Sequence, residues 1–319
     1  MNEKHKRIVI ALGGNAIKLP RQKGTFEEQL ANIRAASHHI LEFIQHGFEV
    51  VISHGNGPQV GNLLVQQEAG ASQVPAQPVE ICNAMTQGQL GYMLQQALMN
   101  ELKAHSLNLN VATMITQVLV DREDPDFAHP SKPVGAFYDR KTQEKLEAEK
   151  GYRMKRVLPR GQAPFRRVLP SPDPIRIVEV LALKKLVDAG MIVIASGGGG
   201  IPVILNDRGE FEGVEGVIDK DLAGEKLAEA VAADILMILT DVSQVQLGWG
   251  TAHERNVDRM NVVQAKKYLQ QGQFPEGSMA PKVRACLRFI EYGGEEAIIT
   301  SLERAWLAVE DQEGTHIVP

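Results

Sequence analysis

Apolar and polar positions follow two different periods along this chain of 319 residues. Short unbroken apolar runs read as buried strands, and apolar residues recurring at i, i+3, i+4 and i+7 read as amphipathic helices. The first run is Ile8-Val9-Ile10-Ala11-Leu12. Residues 27–46 then carry Leu30, Ile33, Ile40, Leu41 and Ile44 on one helical face and stop at Gly47, which suits the left-handed position after a helix. Val50-Val51-Ile52 follows as a strand, Leu90, Met93, Leu94, Ala97, Leu98 and Leu102 mark a second helix, and 111–120 predicts another strand. After an interruption the pattern predicts helix 175–189 closed by Gly190, strand 191–195, helix 222–232, strand 235–239, helix 281–292 and strand 297–300. Such alternation belongs to the α/β class, with a mainly parallel sheet covered by helices on both faces.

Three of these strands run into glycine-rich turns: Gly13-Gly14-Asn15, Ser53-His54-Gly55-Asn56-Gly57-Pro58 and Ser196-Gly197-Gly198-Gly199-Gly200. Without a β-carbon the backbone amides approach a bound group closely, and where a turn ends a parallel strand and opens a helix the dipole adds to an anion site. Ligands of open α/β sheets bind at the carboxyl ends of the strands, where all three turns fall. Three such turns point to a polyanionic ligand.

The segment 125–174 breaks the alternation with eight prolines, and six basic residues lie between Arg153 and Arg167. It reads as an excursion from the sheet, either a solvated flap or a lid whose cations attract phosphate. Net charge is −5, without the clustered basic excess of a nucleic-acid-binding surface, so no nucleic-acid partner is expected. Cys82 and Cys286 lack metal-type spacing and read as buried free thiols. The basic stretch 1–7 precedes an apolar run too short for a signal peptide, and no segment approaches the roughly 18 apolar residues that span a bilayer. A cytoplasmic protein without membrane contact is expected.

Phosphate chemistry narrows by elimination. No glycine turn continues into the Lys and hydroxyl residue of a P-loop, and the HRD and DFG elements of protein kinases are missing. Gly55, Gly57 and Gly61 follow a strand, yet about 20 residues on, where a ribose-binding acid should end a second strand, the chain reads Gln77-Pro78-Val79-Glu80-Ile81. Phosphoryl transfer needs cations near glycines or helix starts. Lys220, in Val217-Ile218-Asp219-Lys220-Asp221, and Lys282, in Gly277-Ser278-Met279-Ala280-Pro281-Lys282, meet that requirement, with Ser278 as a candidate N-cap. A cation at a helix N-terminus is unfavourable unless an anion binds there.

Together with Ala11-Leu12-Gly13-Gly14-Asn15-Ala16, Ser53 to Asn62, Met85-Thr86-Gln87-Gly88, Ser131-Lys132-Pro133-Val134-Gly135 and Gly197 to Val203, these two stretches resemble the carbamate kinases of the amino acid kinase family, in family order over nearly the full length. The resemblance implies a three-layer αβα sandwich on an open, mainly parallel sheet, with a small protruding subdomain at about 125–172. It implies an acceptor lobe over 1–205, a nucleotide lobe over 206–319, a homodimer, and reversible phosphoryl transfer between ATP and carbamate. Mg2+ enters with ATP or ADP and is held mainly through the nucleotide phosphates, with no protein metal site.

By the same resemblance Lys132, Lys220, Lys282 and Asp221 are the catalytic group. Gly13, Gly14, Asn15, Gly55, Asn56, Gly198 and Gly199 face the acceptor and phosphoryl group, and Lys220, Asp241, Met279, Pro281 and Lys282 face the nucleotide. Carbamate is already an anion, so no general base is required and His54 reads as structural. Where acetylglutamate and glutamate 5-kinases place a lysine in the first strand, this chain has Ala11. Two stretches depart from the carbamate kinase pattern: 157–165, and 246–250 near the adenosine-side loop that starts at Thr240. An enzyme of the same fold with another small acceptor, and a sensor of carbamoyl phosphate, are the competing readings. The three lysines together argue against the sensor.

Overall fold

The structure, a computed structural model, describes residues 5–319; the first four residues of the basic N-terminal stretch lie outside the described residues. The chain begins with β1 (Arg7–Leu12), α1 (Phe26–Gln45), β2 (Glu49–His54), α2 (Gly57–Gly70) and α3 (Val79–Ala104). Next come β3 (Val111–Thr113), β4 (Gln117–Val120), α4 (Pro125–Ala128), β5 (Lys132–Tyr138), α5 (Arg140–Lys150), β6 (Met154–Arg156) and β7 (Phe165–Leu169). They are followed by β8 (Pro174–Ile177), α6 (Val180–Asp188), β9 (Ile192–Ile194), β10 (Ile201–Leu205), β11 (Phe211–Gly213) and α7 (Lys220–Ala230). The last third holds β12 (Ile235–Thr240), β13 (Val245–Leu247), β14 (Arg255–Val257), β15 (Arg259–Asn261) and α8 (Val262–Gln270). It ends with α9 (Met279–Tyr292), β16 (Glu296–Ser301), α10 (Ala305–Val309) and β17 (Thr315–Val318).

Eight strands form one sheet in the order β15-β17-β16-β12-β1-β2-β9-β3, and every neighbouring pair is parallel except β16 and β17. Alternate residues of β1 serve opposite faces. Ile8, Ile10 and Leu12 pack with Ile33, Ile40 and Phe43 of α1 and Leu90, Met93 and Leu94 of α3. Val9 and Ala11 pack on the other side with Ala223 and Leu227 of α7 and Val283 and Leu287 of α9. Helices thus cover both faces, and the mainly parallel αβα sandwich is as expected. Among the described residues no helix is long and apolar enough to cross a membrane. Cys82 and Cys286 are buried and free.

The proline-broken excursion builds its own antiparallel sheet, β5-β7-β6, which is separate from the main one. Arg166 donates to Gly135 O and lies over the Phe137 ring, and Arg167 stacks on Tyr152 and pairs with Glu215. These cations hold that small sheet together.

Two expectations need correction. The predicted strand 111–120 divides: β3 stays in the main sheet, whereas β4 joins a second sheet, β11-β10-β4-β8. The break comes at Thr116, which the Gln87 side chain brackets, accepting from Thr116 N at 2.9 Å and donating to Thr116 O at 3.2 Å. The predicted helix 175–189 starts only at Val180, because Pro174–Ile177 pairs with β4 as an edge strand, where a missing N–H costs nothing. The third glycine turn opens strand β10 rather than a helix; of the three turns, only the second runs directly into an α-helix.

The carboxyl ends of β1 and β12 meet closely. A β-carbon on Gly13 would lie 2.6 Å from Leu239 O, whereas one on Gly14 would meet nothing within 4 Å. Gly13→Ala is therefore expected to lower stability by about 1–3 kcal/mol, as overpacking does. Gly14→Ala is expected to stay within about 0.5 kcal/mol of the parent. Denaturant midpoints of the two variants check the contrast.

Candidate active site

A cleft of about 600 Å³ opens at the carboxyl ends of the central strands. Gly13 and Gly14 follow β1, Gly55 and Asn56 follow β2, Thr240 and Asp241 end and follow β12, and Ser301 and Glu303 end and follow β16. Lys132 of β5, Lys220 of α7 and Lys282 of α9 enter from three separate elements.

Two carboxylates organise those cations. Asp219 caps α7, its Oδ1 accepting from Asp221 N at 2.9 Å, and its Oδ2 accepts from Lys132 Nζ at 2.8 Å. Asp221 Oδ1 accepts from Lys220 Nζ at 2.5 Å, and Oδ2 accepts from Lys282 Nζ at 2.8 Å. Burial disfavours the Asp221 charge, but the two ammoniums outweigh it and hold the carboxyl down at about 2. Burial also lowers the Lys220 pKa, with Asp221 opposing and Lys282 adding to the fall. Lys282, although burial lowers it, stands above the ordinary lysine value because Asp221 faces it. The cations at these two helix starts are thus held by carboxylates within the protein, and no bound anion is required to keep them there.

Lys220 crosses the second glycine turn, with its Cδ 3.0 Å from where a Gly55 β-carbon would lie. Gly198 has φ +64°, and a β-carbon there would fall 2.1 Å from Asn56 Nδ2, so only glycine fits. His54 is buried behind the turn, with Nδ1 3.0 Å from Gly55 O; burial pushes its pKa down to about 4, which leaves it neutral. That agrees with a structural imidazole. Ala11 faces Gly224 of α7, whose β-carbon would lie 3.5 Å from the Ala11 methyl, so the first strand has no room for a lysine there.

Most of the expected residues converge on the cleft: Lys132, Lys220, Lys282, Asp221, Gly13, Gly14, Gly55, Asn56, Gly198, Asp241 and Pro281 line it. Gly199 does not; it is buried against Ile218 O, behind Gly198. Met279 packs against the apolar core rather than lining the cleft. The side chain of Asn15 lies outside the described residues. Ser278 stands at the N-cap of α9 without a capping side-chain bond. None of the six basic residues of 153–167 lines the cleft.

Asp219, Ser301 and Glu303 were missed in the sequence. The signal for Asp219 was its place as an N-cap acid two residues before Asp221, whereas nothing local marks Ser301 or Glu303. Away from the cleft, Glu296, Asp311 and His316 could together ligate a metal, but Arg259 already stands among them, 2.7 Å from Asp311 and 3.7 Å from Glu296.

The sequence model of the amino acid kinase family matches residues 6–301. The chain belongs to the amino acid kinase family. It is accordingly a kinase, a phosphotransferase. It is 54% identical to the carbamate kinase of Pyrococcus furiosus over 98% of this chain and 99% of that one. It is 46% identical to the carbamate kinase of Trichomonas vaginalis, again over 98% and 99%. The carbamate kinase of Giardia lamblia bound to AMP-PNP superposes with a TM-score of 0.92 at 39% identity, covering 99% of each chain.

Removing the Asp221 charge leaves Lys220 exposed to burial and to Lys282 repulsion without its counter-ion. Asp221→Asn should therefore move the alkaline limb of the kcat/KM profile for nucleotide to lower pH, since that limb reports free-enzyme groups. An unmoved limb would show that the Asp221 charge does not govern the titration.

Proposed function

We propose that this kinase transfers a phosphoryl group reversibly between ATP and carbamate, giving ADP and carbamoyl phosphate, and that in the cell it runs toward ATP. The observation that carries this is the meeting of Lys132, Lys220 and Lys282 over two glycine turns in one cleft. Support comes also from the carbamate kinases of similar sequence and from the AMP-PNP complex of one of them.

In this mechanism a carbamate oxygen attacks the γ-phosphorus of ATP in line and ADP leaves. In reverse, the ADP β-phosphate oxygen attacks the phosphorus of carbamoyl phosphate and carbamate leaves. Charge on the migrating group spreads over its oxygens, so catalysis is alignment and neutralisation rather than proton transfer. Lys132 serves the acceptor side, Lys220 and Lys282 the phosphates, and Asp221 keeps the last two in position. Main-chain amides of Gly13 and Gly14 complete the cradle, whereas that of Gly55 already donates to Leu12 O at 3.1 Å. The half 1–205 takes the acceptor. The half 206–319, through Asp241 and Pro281, takes the nucleotide.

Mg2+ accompanies the nucleotide and supplies further neutralisation. Hard oxygen donors suit it, and the cleft carboxylates not bonded to a lysine are Asp241 and Glu303. The enzyme works as a cytoplasmic homodimer in this proposal, within arginine-linked or other carbamoyl phosphate breakdown.

Purified protein mixed with Mg2+, ADP and carbamoyl phosphate should form ATP, read by luminescence. Lys220→Ala and Lys282→Ala should each lower turnover about a hundredfold or more, the scale of losing one charge-stabilising donor. No ATP above a protein-free blank rejects the carbamate reading, and near-normal turnover in both variants rejects the assignment of these cations.

A further inference from the structure

Behind the second and third glycine turns, α3 carries a polar network that phosphoryl neutralisation leaves without a task. The Thr86 hydroxyl donates to Asn83 O at 2.7 Å, so toward the Asn56 Nδ2 group 2.6 Å away its oxygen can only accept. Asn83 Nδ2 donates to Gly200 O at 2.6 Å, which turns Asn83 Oδ1 toward Asn56 Nδ2 at 2.5 Å. Two main-chain carbonyls, which cannot donate, thus set every role in the chain. Both hydrogens of the Asn56 amide are directed at α3.

The amide has no freedom to flip. What remains is Asn56 Oδ1, an acceptor on a residue that lines the cleft and is only 4% exposed. Elsewhere in the cleft, Lys132, Lys220 and the free glycine amides offer donors. A phosphate oxygen would find donors elsewhere in the cradle and repulsion at this atom. An N–H group would find a partner.

We propose that Asn56 Oδ1 accepts a hydrogen bond from the amino group on the carbonyl carbon of the acceptor, and that Asn83 and Thr86 are positioning residues for it. This rests on the carbamate reading and adds to it the basis of substrate choice. The ligand class is a carboxylate or acyl phosphate that carries N–H on its carbonyl carbon. An acetyl group matches that shape with a methyl in place of the amino group. Bound, it leaves Oδ1 desolvated and unpaired, and sites built to bond a substrate N–H discriminate strongly against analogues without it.

The test compares kcat/KM for ATP formation from carbamoyl phosphate and from acetyl phosphate, with ADP and Mg2+, in the full-length protein. The unmodified protein should favour carbamoyl phosphate by about tenfold or more. Asn56→Ala should reduce that ratio by about tenfold or more, whatever happens to the absolute rates. Thr86→Val should reduce it too, and Thr86→Ser, which keeps the hydroxyl, should restore it. The Thr86 pair decides the matter if Asn56→Ala does not fold. A ratio near one in the unmodified protein, or an unchanged ratio in the variants, overturns the assignment while ATP formation leaves the carbamate reading standing. Failure to make any ATP from carbamoyl phosphate overturns that reading and the assignment together.

Discussion

One carboxylate, Asp221, holds together the chemistry of the cleft. It is 3% exposed and gives one oxygen to each of two ammoniums, one on its neighbour Lys220 and one on Lys282, 61 positions further along the chain. Two lysines this close repel, and taking any of the three charges out of water is costly. Each oxygen therefore needs its lysine, and each lysine needs that oxygen. The mutual requirement fixes side-chain rotamers before any ligand arrives, and such preorganisation is what makes a charged site effective in a low-dielectric cleft. Asp219 extends the arrangement to Lys132, so the first turn of α7 organises cations from three elements.

That turn can do this because of how α7 lies on the sheet. Gly224 of the helix faces Ala11 of β1, and Lys220, one turn earlier, passes over Gly55. A lysine in place of Ala11 would collide with α7.

What could be read in the sequence was whatever depends on local pattern. The central strands and helices α1, α7 and α9 announced themselves by unbroken apolar runs or by helical spacing, because their apolar residues face a core that tertiary contacts do not re-specify. The turn at Thr116 did not, since the break in 111–120 is imposed by Gln87, 29 positions earlier in the chain. The strand Pro174–Ile177 was hidden for a similar reason: Ile175-Arg176-Ile177-Val178 reads equally well as the start of an apolar helix face until its partner β4 is known. In the site, the motif residues were legible and the acids that restrain them were less so. Asp219 has a local N-cap role that a reader can infer, but its bond to Lys132 crosses 87 positions. Thr86 fell within the stretch Met85-Thr86-Gln87-Gly88, but its bond to Asn56 and that of Asn83 to Gly200 had no local signal, because those partners lie in the turns of two other strands.

The charges of the cleft also bear on how a nucleotide enters. Lys132, Lys220 and Lys282 against Asp219 and Asp221 leave one positive charge in excess, and Asp241 and Glu303, which also line the cleft, turn the sum to one negative. A bare polyphosphate thus meets lysines that attract it and two carboxylates that repel it. A divalent cation travelling with the phosphates reverses the second term without touching the first. The same arrangement keeps free phosphate from occupying the whole cleft, because such an ion satisfies the lysines but offers nothing to Asp241 and Glu303. The two carboxylates that share the cleft with the lysine cluster thus favour a ligand that brings both signs of charge, and a metal-bound nucleotide does.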